Sequence, residues 1–190
     1  MIINRVWSMP NKWTFKIPPI ADLLARYVGD GKGWIDPFAG MYSPAEFTND
    51  LNPDMPTKYH LDALEFLKSL TGLYEGCLFD PPYTPRQVKE CYNSIGRHME
   101  QDDALLGYKR GKYKAVLSPL IRNNGVVISC GWNTVGMGKV LGFEILEILL
   151  VCHGSDHNDT IVTVERKVQS NYDLSVKRVE RTQARLKEEI

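Results

Sequence analysis

At 190 residues with 43% hydrophobic side chains, the chain is long enough to bury a real core and has the size of one domain. No apolar run is long enough to span a bilayer and the N-terminus lacks the basic-then-apolar layout of a signal peptide, which excludes membrane-spanning and secreted classes and predicts a soluble, cytoplasmic protein. Formal net charge is zero, so any strong positive potential has to come from a local cluster.

The first such cluster lies in Lys12-Trp13-Thr14-Phe15-Lys16-Ile17-Pro18, just ahead of an amphipathic helix from Ile20 to Tyr27. Gly33-Trp34-Ile35-Asp36-Pro37-Phe38-Ala39-Gly40 then reads as a strand that breaks into a tight turn at Gly40. A small-residue turn at the carboxyl end of a first strand lets a ligand approach the backbone, which is where doubly wound α/β folds bind nucleoside cofactors. Ala45 to Asn52 forms a short second strand ending near an acid, Asp50. His60-Leu61-Asp62-Ala63-Leu64-Glu65-Phe66-Leu67 places another acid, Asp62, before a helical run. A helix N-cap or a solvated turn would also account for either carboxylate.

The apolar run Gly76-Cys77-Leu78-Phe79 ends in Asp80-Pro81-Pro82-Tyr83. Two consecutive prolines fix φ and stiffen the loop, so the Asp80 carboxylate and the Pro81 carbonyl form a fixed pair of hydrogen-bond acceptors. Tyr83 offers a flat face beside them. Downstream, Tyr108-Lys109-Arg110-Gly111-Lys112-Tyr113-Lys114 is a positive cluster interleaved with aromatics, either a solvated basic loop or a contact for phosphates and bases. A helix follows from Tyr113 to Ile121, a buried strand from Val126 to Cys130 closed by Gly131, and two further strands, Phe143 to Cys152 and Thr160 to Val164, joined by a turn over residues 154–159. The four cysteines show no Cys-x-x-Cys pair and no histidines at zinc spacing, so neither a disulfide nor a metal site is expected. Cys77, Cys130 and Cys152 read as buried side chains.

Asp36-Pro37-Phe38-Ala39-Gly40 followed by Asp80-Pro81-Pro82-Tyr83 resembles, in kind and in order, the two signatures of the S-adenosylmethionine-dependent DNA N6-adenine methyltransferases, of the compact kind familiar from phages and restriction-modification systems. The resemblance runs from about Lys12 to Val168. It implies an α/β, Rossmann-like class I methyltransferase fold, a mostly parallel seven-stranded sheet flanked by helices with its last strand antiparallel. It also implies S-adenosylmethionine as cofactor and DNA as partner. In such enzymes the lone pair of the exocyclic amine is delocalised into the base, and Asp80 with the Pro81 carbonyl would draw the nitrogen toward a tetrahedral shape, Pro82 shaping the loop and Tyr83 stacking on the base. The cofactor would be held by Asp36, Phe38, Ala39, Gly40, the ribose by Asp50, the adenine amino group by Asp62 with Ala63, and the methionine carboxylate by Lys16, with Lys12 and Trp13 as weaker candidates.

Many relatives continue past their first glycine with Ser-Gly or a second glycine, whereas this chain continues Met41-Tyr42-Ser43-Pro44, and reshaped cofactor contacts are expected there. The expected organisation is a catalytic domain over residues 1–168 with no separate target-recognition domain, a DNA-contacting insertion over 84–114 carrying Lys109, Arg110, Lys112 and Lys114, and a charged C-terminal helix or tail over 169–190. A homodimer is compatible with that tail. The same signatures also fit an RNA adenine methyltransferase, and the Met41-Tyr42 departure would suit an inactive nucleic-acid or cofactor-binding module.

Overall fold

A computed structural model describes residues 1–98, 106–154 and 157–168, apart from the side chains of residues 94 and 106–109. The strands are β1 (Ile2–Trp7), β2 (Trp34–Asp36), β3 (Phe47–Thr48), β4 (Tyr74–Phe79), β5 (Ile121–Gly131), β6 (Phe143–Cys152) and β7 (Thr160–Lys167). They form one seven-stranded sheet in the order β1-β6-β7-β5-β4-β2-β3. All neighbours are parallel except that β7 runs antiparallel to β5 and β6. The mostly parallel sheet with an antiparallel last strand is the one expected from the sequence.

Burial on both faces explains why the central strands read as continuous apolar runs. On one face Trp34, Leu78, Ile128 and Cys130 meet helix α1 (Pro18–Val28). Two prolines start that helix, where a missing N–H costs nothing, and its buried Ile20, Leu23, Leu24 and Val28 follow the helical period. On the other face Ile35, Cys77, Phe79 and Val127 meet Phe66 and Leu67 of α2 (Ala63–Ser69) and Leu117 of α4 (Leu106–Leu120). Gly76 has to be a glycine. A Cβ there would stand 2.7 Å from the Trp34 indole and 2.5 Å from the Val126 carbonyl oxygen. The three buried cysteines are those expected, and Cys91 is exposed. Among the described residues no helix is long and apolar enough to cross a membrane.

Two features were not anticipated. The seventh strand is β1, an edge strand formed by residues that the sequence pattern left unassigned, and most of its side chains are exposed. It is tied down through Glu147 of β6, which accepts from Asn4 Nδ2 at 3.2 Å, Arg26 Nη2 at 2.9 Å and the Tyr27 hydroxyl at 2.8 Å. The Arg26 hydrogen bond is the chief reason that this fully buried carboxyl sits below its ordinary range. His153 adds a second tie. Since the Ser8 carbonyl can only accept, Nδ1 donates to it at 2.8 Å, and Nε2 pairs with the Thr160 hydroxyl at 2.9 Å.

The segment from 84 to 114 carries α3 (Pro85–Ser94) and the first part of α4, so it forms the crossover between the parallel strands β4 and β5. The basic cluster within it is helical from Leu106 onward, earlier than the expected start at Tyr113. The side chains of Tyr108 and Lys109 and the tail over 169–190 lie outside the described residues.

Candidate active site

The carboxyl ends of β1, β2, β4, β5 and β6 share one edge of the sheet, and a cavity of about 590 Å³ opens there. Phe38, Ala39 and Gly40 after β2, Asp50, Asp62, Ala63 and the whole of Asp80-Pro81-Pro82-Tyr83 line it, together with Lys12, Trp13, Tyr42 and Arg110. Fourteen of the residues singled out in the sequence, spread over 98 positions from Lys12 to Arg110, are thus brought to one opening.

The turn after β2 is built by side chains that bond to backbone. Asp36, fully buried beneath it, accepts from the Phe38 N–H at 2.9 Å and the Ser43 hydroxyl at 2.6 Å. Gly40 takes φ +55°, and a Cβ there would meet the Trp13 ring at 3.0 Å. Asp50 accepts the Gly40 N–H at 3.0 Å through one oxygen and the Asn52 N–H at 2.8 Å through the other, so it holds the turn while each oxygen keeps a second lone pair for a ligand. Asp62 caps α2 by accepting the Leu64 N–H at 2.9 Å and also faces the cavity, so the capping and ligand roles coexist. The Phe38 ring turns edge-on to Phe79 and Tyr113, at 5.8 and 5.5 Å. Tyr42 stands edge-on to Trp13 at 5.9 Å, forming wall rather than plug. Lys16 lies outside the cavity lining, with its ammonium 5.1 Å above the Tyr42 ring, and Lys12 is the lysine of that segment in the wall.

Burial raises the Asp36 carboxyl to about 7, with the charges of Asp80 and Asp50 adding to it and the Ser43 and Phe38 bonds opposing it. In the folded chain the proton is therefore held between the ordinary value of 3.8 and about 7, where the unfolded chain has already released it. Stability from this group falls as pH rises through that window and is level above it. Asp36→Asn has no such proton, so urea titrations from pH 4 to 8 should show the variant gaining on the parent as pH rises, with the whole relative gain reached above pH 7.

Asp80 ends β4 at the floor of the cavity, and burial raises its carboxyl too, against the hydroxyls of Tyr83 and Thr14 that donate to it. The loop beyond is held by a capping box. Thr84 Oγ1 accepts the Gln87 N–H at 3.2 Å, while Gln87 Oε1 accepts the N–H groups of Thr84 at 3.1 Å and Tyr83 at 2.7 Å. Arg110 of α4 donates from Nη2 to the Pro82 carbonyl at 3.1 Å and sets its guanidinium 6.0 Å from the Tyr83 ring, while its Nε is buried without a partner. Lys114 turns away from the cavity to donate to the Gly136 carbonyl, and Lys112 is exposed.

Sequence reasoning passed over Thr14, Asn49 and Gln87. Asn49, fully buried, donates to the carbonyls of Pro37 and Leu61 and accepts the Leu61 N–H, which fastens the β2 turn to the start of α2. Thr84-x-x-Gln87 before a helix was a readable capping signal. Thr14 and Asn49 carried none, because their partners are distant in sequence.

No protein-family model and no curated protein matches the chain. Solved structures do. TrmN from Thermus thermophilus aligns over 80% of this chain and 49% of its own, at 16% identity and a TM-score of 0.55, so the chain spans about half the length of that protein. The 1,6-didemethyltoxoflavin-N1-methyltransferase of Burkholderia thailandensis, solved with 1,6-didemethyltoxoflavin and S-adenosylhomocysteine, aligns over 80% of this chain and 77% of its own, at 14% identity and a TM-score of 0.51. The fold is the Rossmann-like methyltransferase fold.

Proposed function

We propose that the chain is an S-adenosylmethionine-dependent methyltransferase that modifies the 6-amino group of adenine in DNA. The observation that carries this reading is the shared cavity, in which the Asp80 carboxylate and its proline loop face a glycine turn flanked by Asp50 and Asp62. A protein of the same fold that binds S-adenosylhomocysteine supports the choice of donor.

The residues suit a nucleoside cofactor. Asp50 and Asp62 present carboxylate oxygens to the opening, as ribose hydroxyls and an adenine amino group require. Gly40 leaves its turn open under the Trp13 ring, and Lys12 supplies a cation for a carboxylate. When bound, S-adenosylmethionine supplies a methyl group activated by its sulfonium.

The rest is done by the chain. Asp80 accepts one amine N–H and the Pro81 carbonyl the other, which localises the nitrogen lone pair and aims it toward the cofactor turn. The Tyr83 hydroxyl already lies on Asp80 and exchanges for the amine as the base enters. Asp80 then holds the amine proton until solvent takes it. Arg110, bonded to the Pro82 carbonyl, keeps the loop in register and sets a positive charge at the cavity wall. Tyr42 lies in the cavity wall edge-on to Trp13, so the bulky Met41-Tyr42 turn is compatible with an open site.

The test is transfer of labelled methyl to unmethylated duplex DNA, single-stranded DNA and RNA, followed by digestion to nucleosides. Label in N6-methyldeoxyadenosine is expected. Label on RNA alone overturns the DNA assignment, and no label on any pool by a chain that binds the cofactor overturns the reading as a whole.

A further inference from the structure

Trp132 follows β5 directly, at the same sheet edge as Asp80, and keeps 45% of its surface exposed. Its ring lies 5.8 Å from that of Tyr83, tilted by 46°, just outside the cavity lining. A half-exposed indole beside another ring offers a flat apolar face on which a further ring can stack. The loop that carries it is not loose. Asn133 accepts the Val135 N–H at 3.1 Å, Glu165 accepts the N–H groups of Met137 and Gly138, and Lys114 donates to the Gly136 carbonyl. Gly136 takes φ +48°, and a Cβ there would collide with the Glu165 carboxylate. Anchors from β7 and α4 thus fix a loop whose aromatic side chain is turned outward.

A second indole stands along the same edge. Trp7 is the last residue of β1, is 66% exposed, and packs its Nε1 against Gly154 so closely that a Cβ there would be 3.2 Å away. In sheet order β1 is three strands from β5, a span of roughly 14 Å at the usual strand spacing. From the sheet edge inward the order is Trp7, Trp132, then Tyr83 and Asp80. With formal net charge zero, the chain offers no broad positive field to a strand, so stacking on exposed aromatic faces adds to whatever local phosphate contacts the basic helix makes.

We propose that Trp132 and Trp7 form a stacking track for single-stranded nucleic acid, with Trp132 taking the base next to the one held at Tyr83 and Trp7 a base further along. This deepens the proposed function and rests on it for the identity of the target base. Stacking on indoles needs exposed base faces, so the preferred substrate is an unpaired strand, and the affinity falls only shallowly with salt.

The experiment compares the full-length chain with Trp132→Leu, Trp7→Leu and Trp132→Phe on a 12-nucleotide single-stranded oligodeoxynucleotide with one adenine, and on deoxyadenosine monophosphate. Binding is followed by tryptophan fluorescence and transfer by labelled methyl, with cofactor affinity and thermal unfolding as fold controls. For Trp132→Leu the oligonucleotide KM should rise about tenfold, the loss of one base stack, with kcat within about twofold. The mononucleotide should react as with the parent chain, and Trp132→Phe should recover most of the affinity. An unchanged oligonucleotide KM overturns the track, as does a fall in kcat shared by both substrates, which would make Trp132 a prop for Tyr83. Should the parent chain transfer no methyl to DNA, the reading of the activity fails separately. Quenching by the oligonucleotide that is lost in Trp132→Leu would still establish the track, and quenching equal in parent and variant would overturn it.

Discussion

Replacing Asp80 with Ala is expected to lower kcat for adenine methylation by about 10²–10³-fold, the usual loss when one preorganised charge-stabilising group is removed from an active site. The cofactor dissociation constant should stay within about twofold, because Asp80 sits at the proline loop and the groups assigned to the nucleoside lie on the other side of the cavity. Removing the carboxylate also frees the hydroxyls of Tyr83 and Thr14 that donate to it. Because burial raises the Asp80 carboxyl, the ionised form needed to accept an amine N–H is lost, as pH falls, earlier than for an exposed aspartate. In the parent chain the acid limb of the kcat profile should therefore lie above the ordinary carboxylate range. Single-turnover rates with saturating cofactor, measured across pH beside equilibrium cofactor binding, check both statements. A variant with full activity would remove Asp80 from the chemistry.

The largest expected loss of stability comes from Glu165→Ala. Glu165 is 1% exposed, accepts the N–H groups of Met137 and Gly138, and has Lys114 near enough for the charges to support each other. Its removal leaves one buried and one half-buried donor without an acceptor and a half-buried ammonium without its counter-charge, at a cost of about 3 kcal/mol. Glu165→Gln keeps one acceptor oxygen and should lose about half as much. Urea unfolding measures the difference. The same variants release the loop that carries Trp132, so the oligonucleotide KM should rise in both, and more in the alanine form.

The layout of the site was legible because its parts are local. Asp36 to Gly40 and Asp80 to Tyr83 each combine a strand end with a conformationally special residue, and a strand end followed by glycine or proline leaves a mark in sequence that needs no knowledge of the rest. The strands Phe143–Cys152 and Val126–Cys130 were visible for a similar reason, as apolar runs closed by turns. What escaped depends on pairing at a distance. β1 alternates weakly, with Ile2, Ile3 and Trp7 all exposed, and only its partner β6 makes it a strand. Arg110 and Lys114 look alike within a basic cluster and share one helix face a turn apart, yet Arg110 reaches the Asp80–Tyr83 loop and Lys114 the β5–β6 loop, a division set by the loops that pack there and not by the helix. The role of Lys167 was equally hidden. Its buried ammonium donates to the Ser118 and Ile121 carbonyls at the end of α4, a partnership that only the folded sheet creates.

The edge strand β1 imposes an order on biosynthesis. Its anchor joins Asn4 to Glu147 across 143 positions, so β1 has no partner until β6 has been made. At about 5–20 residues per second this is a wait of many seconds, during which Ile2, Ile3 and Trp7 are unshielded. β1 is therefore a late addition to a sheet whose β2, β3 and β4 are made long before its partner. A bulky fusion placed directly ahead of β1 would burden that step, whereas the pairing of β2 with β4 would be indifferent to it.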